Sequence, residues 1–382
     1  MAKITQFFIL IFYLSLFSCE KQERLKLGAE RTKTYLPLLD NKSVAIVGNQ
    51  TSMIASTHLV DSLISLKVNI VKVFSPEHGF RGKEDAGVRI ADGFDNATGL
   101  PVISLYGKNK KPSYEQLEGI DVLLFDIQDV GARFYTYIST LHYVMEAAGE
   151  NNVQVIVLDR PNPNGHYVDG PVREEDFSSF VGMHPIPIVH GMTIGEYAKM
   201  INNENWINKK CDLTIITMEN YNREIHYDLP VKPSPNLPNS RAVNLYPSLC
   251  LFEGTTISIG RGTDYPFQHF GAPYLISNYS FMPKSGVGSK YPKHENTLCY
   301  GTDLRFDEAY LRAINLEWLI AAYNQCADKD KFFISFFDKL AGTDKLRKQI
   351  VAGMSSQEIK ESWQVQLDTF KEIRERYLIY HK

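Results

Sequence analysis

Short apolar runs recur through the first two hundred or so residues of this chain: Val44 to Val47, Val68 to Phe74, Val102 to Leu105, Val122 to Phe125, Val153 to Leu158 and Leu213 to Thr217. Each is rich in β-branched residues and bounded by polar or turn-forming ones, the pattern of strands buried on both faces. Between several of them the apolar spacing changes to that of a helix. Leu59, Leu63 and Leu66 share one face, as do Tyr137, Leu141, Val144, Met145 and Ala148, with Gly149 as the expected helix stop. Strands that alternate with helices in this way predict an α/β fold, a Rossmann-like domain built on a largely parallel sheet covered on both sides.

The texture changes where Pro230, Pro233, Pro235, Pro238 and Pro247 punctuate the chain too closely for a central strand or a helix interior. The domain boundary is expected there: residues 20–235 form the Rossmann-like domain, and residues 236–382 a smaller, mixed α/β carboxyl-terminal domain. In the latter, Thr255 to Ile259 reads as a strand. Helical segments are expected over Asp307 to Gln325, Lys331 to Leu340, Asp344 to Val351 and Ser355 to Tyr380, with Ser356 as N-cap of the last.

Residues 1–19 stand apart. Lys3 precedes an apolar stretch from Phe7 to Phe17, too short for a comfortable membrane span and of the length of a signal h-region. It ends Leu16-Phe17-Ser18-Cys19, which resembles a bacterial lipobox and predicts acylation of Cys19, a lipid anchor, and export to the periplasm or cell surface. An uncleaved anchor or a plain secretory signal is the competing reading. Cys211, Cys250, Cys299 and Cys326 are widely spaced with no C-x-x-C pair, so a structural zinc site is not expected; disulfides and isolated thiols both fit.

With 41 Lys and Arg against 44 Asp and Glu and no basic block, the chain lacks the footprint of a nucleic-acid binder. A dinucleotide is not implied either. The first strand ends Val47-Gly48-Asn49-Gln50-Thr51-Ser52, without the G-x-G-x-x-G that lets backbone approach a pyrophosphate, and no Walker-type loop occurs. No cofactor and no metal are expected. A metal site drawn from His78, Asp126, Asp129 and His142 or His190 would lack any recognised ligand spacing.

The chemistry concentrates at strand ends. In a parallel sheet these lie on one edge, so Asn49, Glu77, Asp126 and Asp159 should converge. The informative loop is Ser75-Pro76-Glu77-His78-Gly79-Phe80-Arg81-Gly82. Asp126-Ile127-Gln128-Asp129 leads into Arg133 and Tyr135, and Asp159-Arg160-Pro161-Asn162 follows the next strand. A second polar and aromatic set, with Asn236, Glu253, Arg261 and Asp264, faces the expected interdomain cleft. Carboxylates, amides, arginines and aromatic rings in such a mixture suit a polyhydroxylated ligand. Glycosidic cleavage needs an acid for the leaving oxygen, and Glu77 beside Pro76 and Phe80 is the candidate, with Asp126 as second carboxylate and Asp129 and Asp159 as its rivals. For each of these Asp residues the competing reading is a helix N-cap. Asn49, His78, Arg81, Gln128, Asp129, Arg133, Tyr135, Asp159, Arg160, Asn162, Asn236, Glu253, Arg261 and Asp264 are the expected substrate-binding residues.

Together SPEHGFRG, DIQDVGARFYTYISTL, LDRPNPNG, PSPNLP and YPSLCLFEGTTISIGRGTDYPFQHFGAP, in order from Val44 to the carboxyl terminus, resemble the exo-β-N-acetylmuramidase (NamZ) family. The resemblance implies a cleft between the two domains that removes terminal N-acetylmuramic acid from the non-reducing end of peptidoglycan fragments, with Glu77 catalytic. Arg81, Arg133 and Arg261 are then candidates to bind the lactyl carboxylate that distinguishes muramic acid from glucosamine. A muropeptide-binding lipoprotein without activity, and an esterase or amidase, are the alternatives; the absence of a G-x-S-x-G elbow weakens the esterase.

Overall fold

A computed structural model describes residues 24–77, 79–81, 92–306 and 310–380. The acylation expected at Cys19 and the side chain of His78 lie outside these residues.

Seven strands form the main sheet: β1 Val44–Gly48, β2 Ile70–Ser75, β3 Gly93–Phe94, β4 Pro101–Ser104, β5 Val122–Asp126, β6 Gln154–Leu158 and β7 Leu213–Ile216. Their order is β3-β4-β2-β1-β5-β6-β7. All neighbours are parallel except β3 against β4, which caps one edge. Alternate residues of the central strands sort into two apolar layers. Ala45, Val47, Leu123, Phe125, Val155 and Val157 pack with the Tyr137–Asn151 and Ile194–Asn203 helices on one face. Val44, Ile46, Val122, Leu124, Ile156 and Leu158 pack with Tyr35 and the Leu59–Ser65 helix on the other. Period-two alternation between two covered faces is why these strands read as continuous apolar runs.

From β1 the chain proceeds outward through β2 to β4, then crosses back to build β5, β6 and β7 on the other side. The order therefore reverses between β1 and β5, whose ends pair at Gly48 and Asp126. A crevice opens at the carboxyl ends of strands at such a point.

The carboxyl-terminal part carries a small antiparallel sheet of His269–Ala272, Cys299–Asp303 and Tyr279–Phe281, in that spatial order, with helices that include Glu317–Gln325, Lys345–Val351 and Gln364–Glu375. Its apolar residues share one continuous core with the first face of the main sheet.

Several local expectations are corrected. Thr255 to Ile259 is not a strand: it makes single bridges, Thr255 with Phe333 and Ser258 with Gly271. The Tyr137–Asn151 helix runs past Gly149 and closes on Asn152 in the left-handed region (φ 56°). A Cβ at Gly149 would stand 2.2 Å from the Lys209 carbonyl, so this glycine permits close packing and does not end the helix. Ser355 is the N-cap of Ser356–Ser362, in a capping box with Glu358; Ser356 is the first helical residue. The Ser240–Leu249 helix begins just after Pro238, capped by Asn239, and contains Pro247, so that proline of the cluster does lie in a helix interior. The four described cysteines are buried, unpaired thiols.

Candidate active site

Beyond β2 the chain turns at Pro76 and delivers Glu77 to a cavity of about 220 Å³ between the two parts of the molecule. The main-sheet side contributes Glu77, Tyr106, Phe134, Tyr135, Tyr137 and Phe180; the other side contributes Asn236, Tyr246, Cys250, Glu253, Arg261 and Phe267. Aromatic rings are the largest group in the wall, and charged or amide side chains enter it at a few points, the composition of a site for one amphipathic ring.

The phenols of Tyr106 and Tyr137 neighbour the Glu77 carboxyl. Burial first, and then the Glu77 charge, push both well above the ordinary phenol range, so both remain hydroxyl donors. Tyr135 donates to the Pro233 carbonyl at 2.8 Å and Tyr137 to the same oxygen at 3.3 Å, which fixes the Pro-rich segment against the sheet domain. Asn236 follows on that segment, its amide donating to Gly288 O at 2.7 Å. On the opposite wall Arg261 donates from Nε to Glu253 Oε1 at 2.5 Å and stacks its guanidinium 5.1 Å from the Phe267 centroid. Glu253, Arg261, Asn236 and Tyr135 therefore meet Glu77 in one cavity although they span 184 positions of sequence from residue 77 to residue 261.

Other candidates belong to the frame around the cavity. Asp126, expected as the second carboxylate, is fully buried and clasped by Arg160, Nε to Oδ1 at 2.5 Å and Nη2 to Oδ2 at 2.8 Å. Each satisfies the other, so neither reaches substrate. Asp159 accepts from Arg160 N, Gly195 N, the Thr193 hydroxyl and the Tyr380 hydroxyl, at 2.7–3.0 Å. Burial above all pushes its carboxyl up to about 7. It joins a helix start and the carboxyl-terminal tail to the sheet. Asp129 accepts from Gly131 N at 2.6 Å, and burial pushes it too up to about 7. Gln128 donates to Asp129 O and Pro161 O, both at 2.7 Å. Asn162 donates to Met192 O at 2.8 Å, and Asn49 turns its oxygen onto Thr51 N and Oγ1 at 2.9 and 2.6 Å.

Two of the three arginines proposed for a lactyl carboxylate are committed elsewhere. Arg133 is buried and donates to four carbonyls, Pro171, Ile186, Leu340 and Ala341, at 2.7–2.9 Å. It seams the two parts of the molecule and meets no carboxylate among the described residues. Arg81 forks between Asp61 and Asp95, with contacts of 2.7–3.2 Å, and lies over the Phe80 ring. The Arg81 guanidinium in turn holds the Asp95 carboxyl down to about 2. Arg81 therefore braces the Glu77 loop against the Leu59–Ser65 helix. Asp264 is exposed and outside the cavity wall.

Tyr106, Tyr137, Tyr246 and Phe180 line the site and were not among the expected residues. Tyr106 lies just past β4, a strand end on the same edge as Asn49 and Glu77, and that position was the available signal.

Two family models together match most of the chain: Exo-beta-N-acetylmuramidase NamZ, N-terminal, matches residues 44–241, and Exo-beta-N-acetylmuramidase NamZ, C-terminal, matches residues 244–380. The chain is 41% identical over 371 residues to the peptidoglycan beta-N-acetylmuramidase NamZ of Bacillus subtilis (strain 168), which covers 91% of this chain and 89% of that protein. Crystal structures of two DUF1343 family proteins from Bacteroides fragilis NCTC 9343 are also similar. One is 46% identical with a TM-score of 0.88 and covers 94% of this chain and 100% of that chain. The other is 31% identical with a TM-score of 0.79, over 94% and 99% respectively.

Proposed function

Because the chain belongs to the exo-β-N-acetylmuramidase NamZ family, we propose that its interdomain cavity holds one terminal N-acetylmuramic acid with Glu77 as proton donor. The chain is a glycoside hydrolase of peptidoglycan, an exo-enzyme that removes β-linked N-acetylmuramic acid from non-reducing ends. The observation that carries the site assignment is the placement of the Glu77 carboxyl in a small cavity rich in aromatic rings that also holds one arginine among the described residues, Arg261. Glu77 protonates the departing glycosidic oxygen, and the Tyr106 and Tyr137 hydroxyls beside it orient its carboxyl. Asp126 takes no part in this chemistry. Among the described residues Glu253 is the other carboxylate in the wall, and its ion pair aims Arg261 at the lactyl carboxylate.

We further propose export with a lipid anchor at Cys19: the Leu16-Phe17-Ser18-Cys19 ending resembles a lipobox, and a membrane-anchored, exported enzyme would meet the cell wall that is its substrate. A Cys19→Ala chain should leave the membrane fraction, and retention there would contradict the anchor.

The activity is tested with chromogenic glycosides of N-acetylmuramic acid and N-acetylglucosamine. Release from the first should exceed release from the second by about tenfold or more, the value of one lost charge-assisted hydrogen bond. Equal rates would reject lactyl recognition.

A further inference from the structure

We infer that Lys110, at the rim of the cleft, is a specificity residue that takes a carboxylate on the part of the glycan beyond the scissile bond. The inference rests on the muramidase reading and extends it to the leaving group.

The loop after β4 carries two consecutive functions. Tyr106 enters the cavity wall beside Glu77. Four residues on, the Lys110 ammonium lies 4.3 Å from the centroid of Phe180, itself a wall residue. Lys111 turns the other way and spans Glu146 and Glu150, at 2.9 and 2.7 Å, which occupies the acids of the adjacent helix. Lys110 is half-buried and has no carboxylate within ion-pair distance among the described residues. A ring face uses the charge of an ammonium but leaves most of its hydrogen-bond donors open. Such a cation beside a binding cavity gains most from an anion brought by the ligand.

Arg261, already aimed by Glu253 inside the cavity, serves the terminal sugar. Peptidoglycan alternates glucosamine and muramic acid, so a departing glycan freed of its stem peptides carries its first carboxylate on the lactyl ether of the next muramic acid. That group, outside the cavity, matches a cation at the rim.

The test compares KM for three substrates: the disaccharide N-acetylmuramyl-N-acetylglucosamine, the trisaccharide extended by a second muramic acid, and that trisaccharide with its second lactyl group amidated. Wild type should bind the acidic trisaccharide with a KM about three- to fivefold below the other two, as for a partly exposed ion pair, and 1 M salt should remove the difference. Lys110→Gln should abolish the difference, and Lys110→Arg should keep it. A gap that persists in Lys110→Gln, a wild type without a gap, or a Lys110→Gln enzyme weakened equally on all three substrates would overturn the inference. A folded wild type that cleaves none of the three would strike at the muramidase reading itself.

Discussion

Arg133 and Arg261 place the same side chain in opposite surroundings. Arg133 ends on four backbone carbonyls in the interior, and burial holds its guanidinium down to about 9. Arg261 ends on the cavity wall beside Glu253. Arg133→Met should therefore cost at least about 3 kcal/mol of stability by orphaning buried acceptors. Arg261→Met should spare the melting temperature by comparison and lower the preference for muramic acid over glucosamine. Thermal melts with paired glycoside assays check both, and a stable Arg133→Met enzyme with lost substrate preference would reverse the assignment. Residue type in the sequence could not separate these roles. Asp126 and Glu77 both follow strands on one edge, yet Asp126 meets Arg160 and Glu77 meets two phenols, differences made by loops distant in the chain.

Elements were more legible than side chains. Continuous apolar runs marked β1, β5 and β6, because strands with two covered faces need no polar side, and interrupted β-branched runs marked β2, β4 and β7. Thr255 to Ile259 is likewise rich in β-branched residues, but its backbone finds single bridges and no ladder. Gly149 carried the signal of a stop because the sequence gives no hint of the Lys209 carbonyl packed on it. The tail after the Gln364–Glu375 helix returns to the sheet through the Tyr380 hydroxyl, which donates to Asp159 at 2.7 Å and accepts from Met218 N at 2.8 Å. Tyr380→Phe should destabilise the fold by about 1–3 kcal/mol while its ring keeps its packing. Denaturant unfolding measures this, and a variant as stable as wild type would show that the staple is dispensable.

At the scale of the molecule, one core and one cleft join the parts on either side of the proline-rich segment. That shared interior also sets a pH response. Burial holds Asp129 up to about 7 from its ordinary 3.8 and the nearby His190 down to about 3. The raised carboxyl gives stability that is complete below pH 3.8 and is lost as pH rises through 7; the lowered imidazole gives stability present above its ordinary 6.5 and lost as pH falls toward 3. Asp129→Asn removes only the first, so its melting temperature minus that of wild type should grow more positive from pH 4 to pH 8. A difference independent of pH would contradict a buried, raised Asp129. The proposed catalysis uses the same interdomain cavity, with Glu77 as the proton donor. The most direct measurement is release of N-acetylmuramic acid by Glu77→Gln, with ligand binding followed in parallel. Turnover should fall about 10²–10⁴-fold with binding retained; a folded Glu77→Gln enzyme with native turnover would contradict Glu77 as the proton donor.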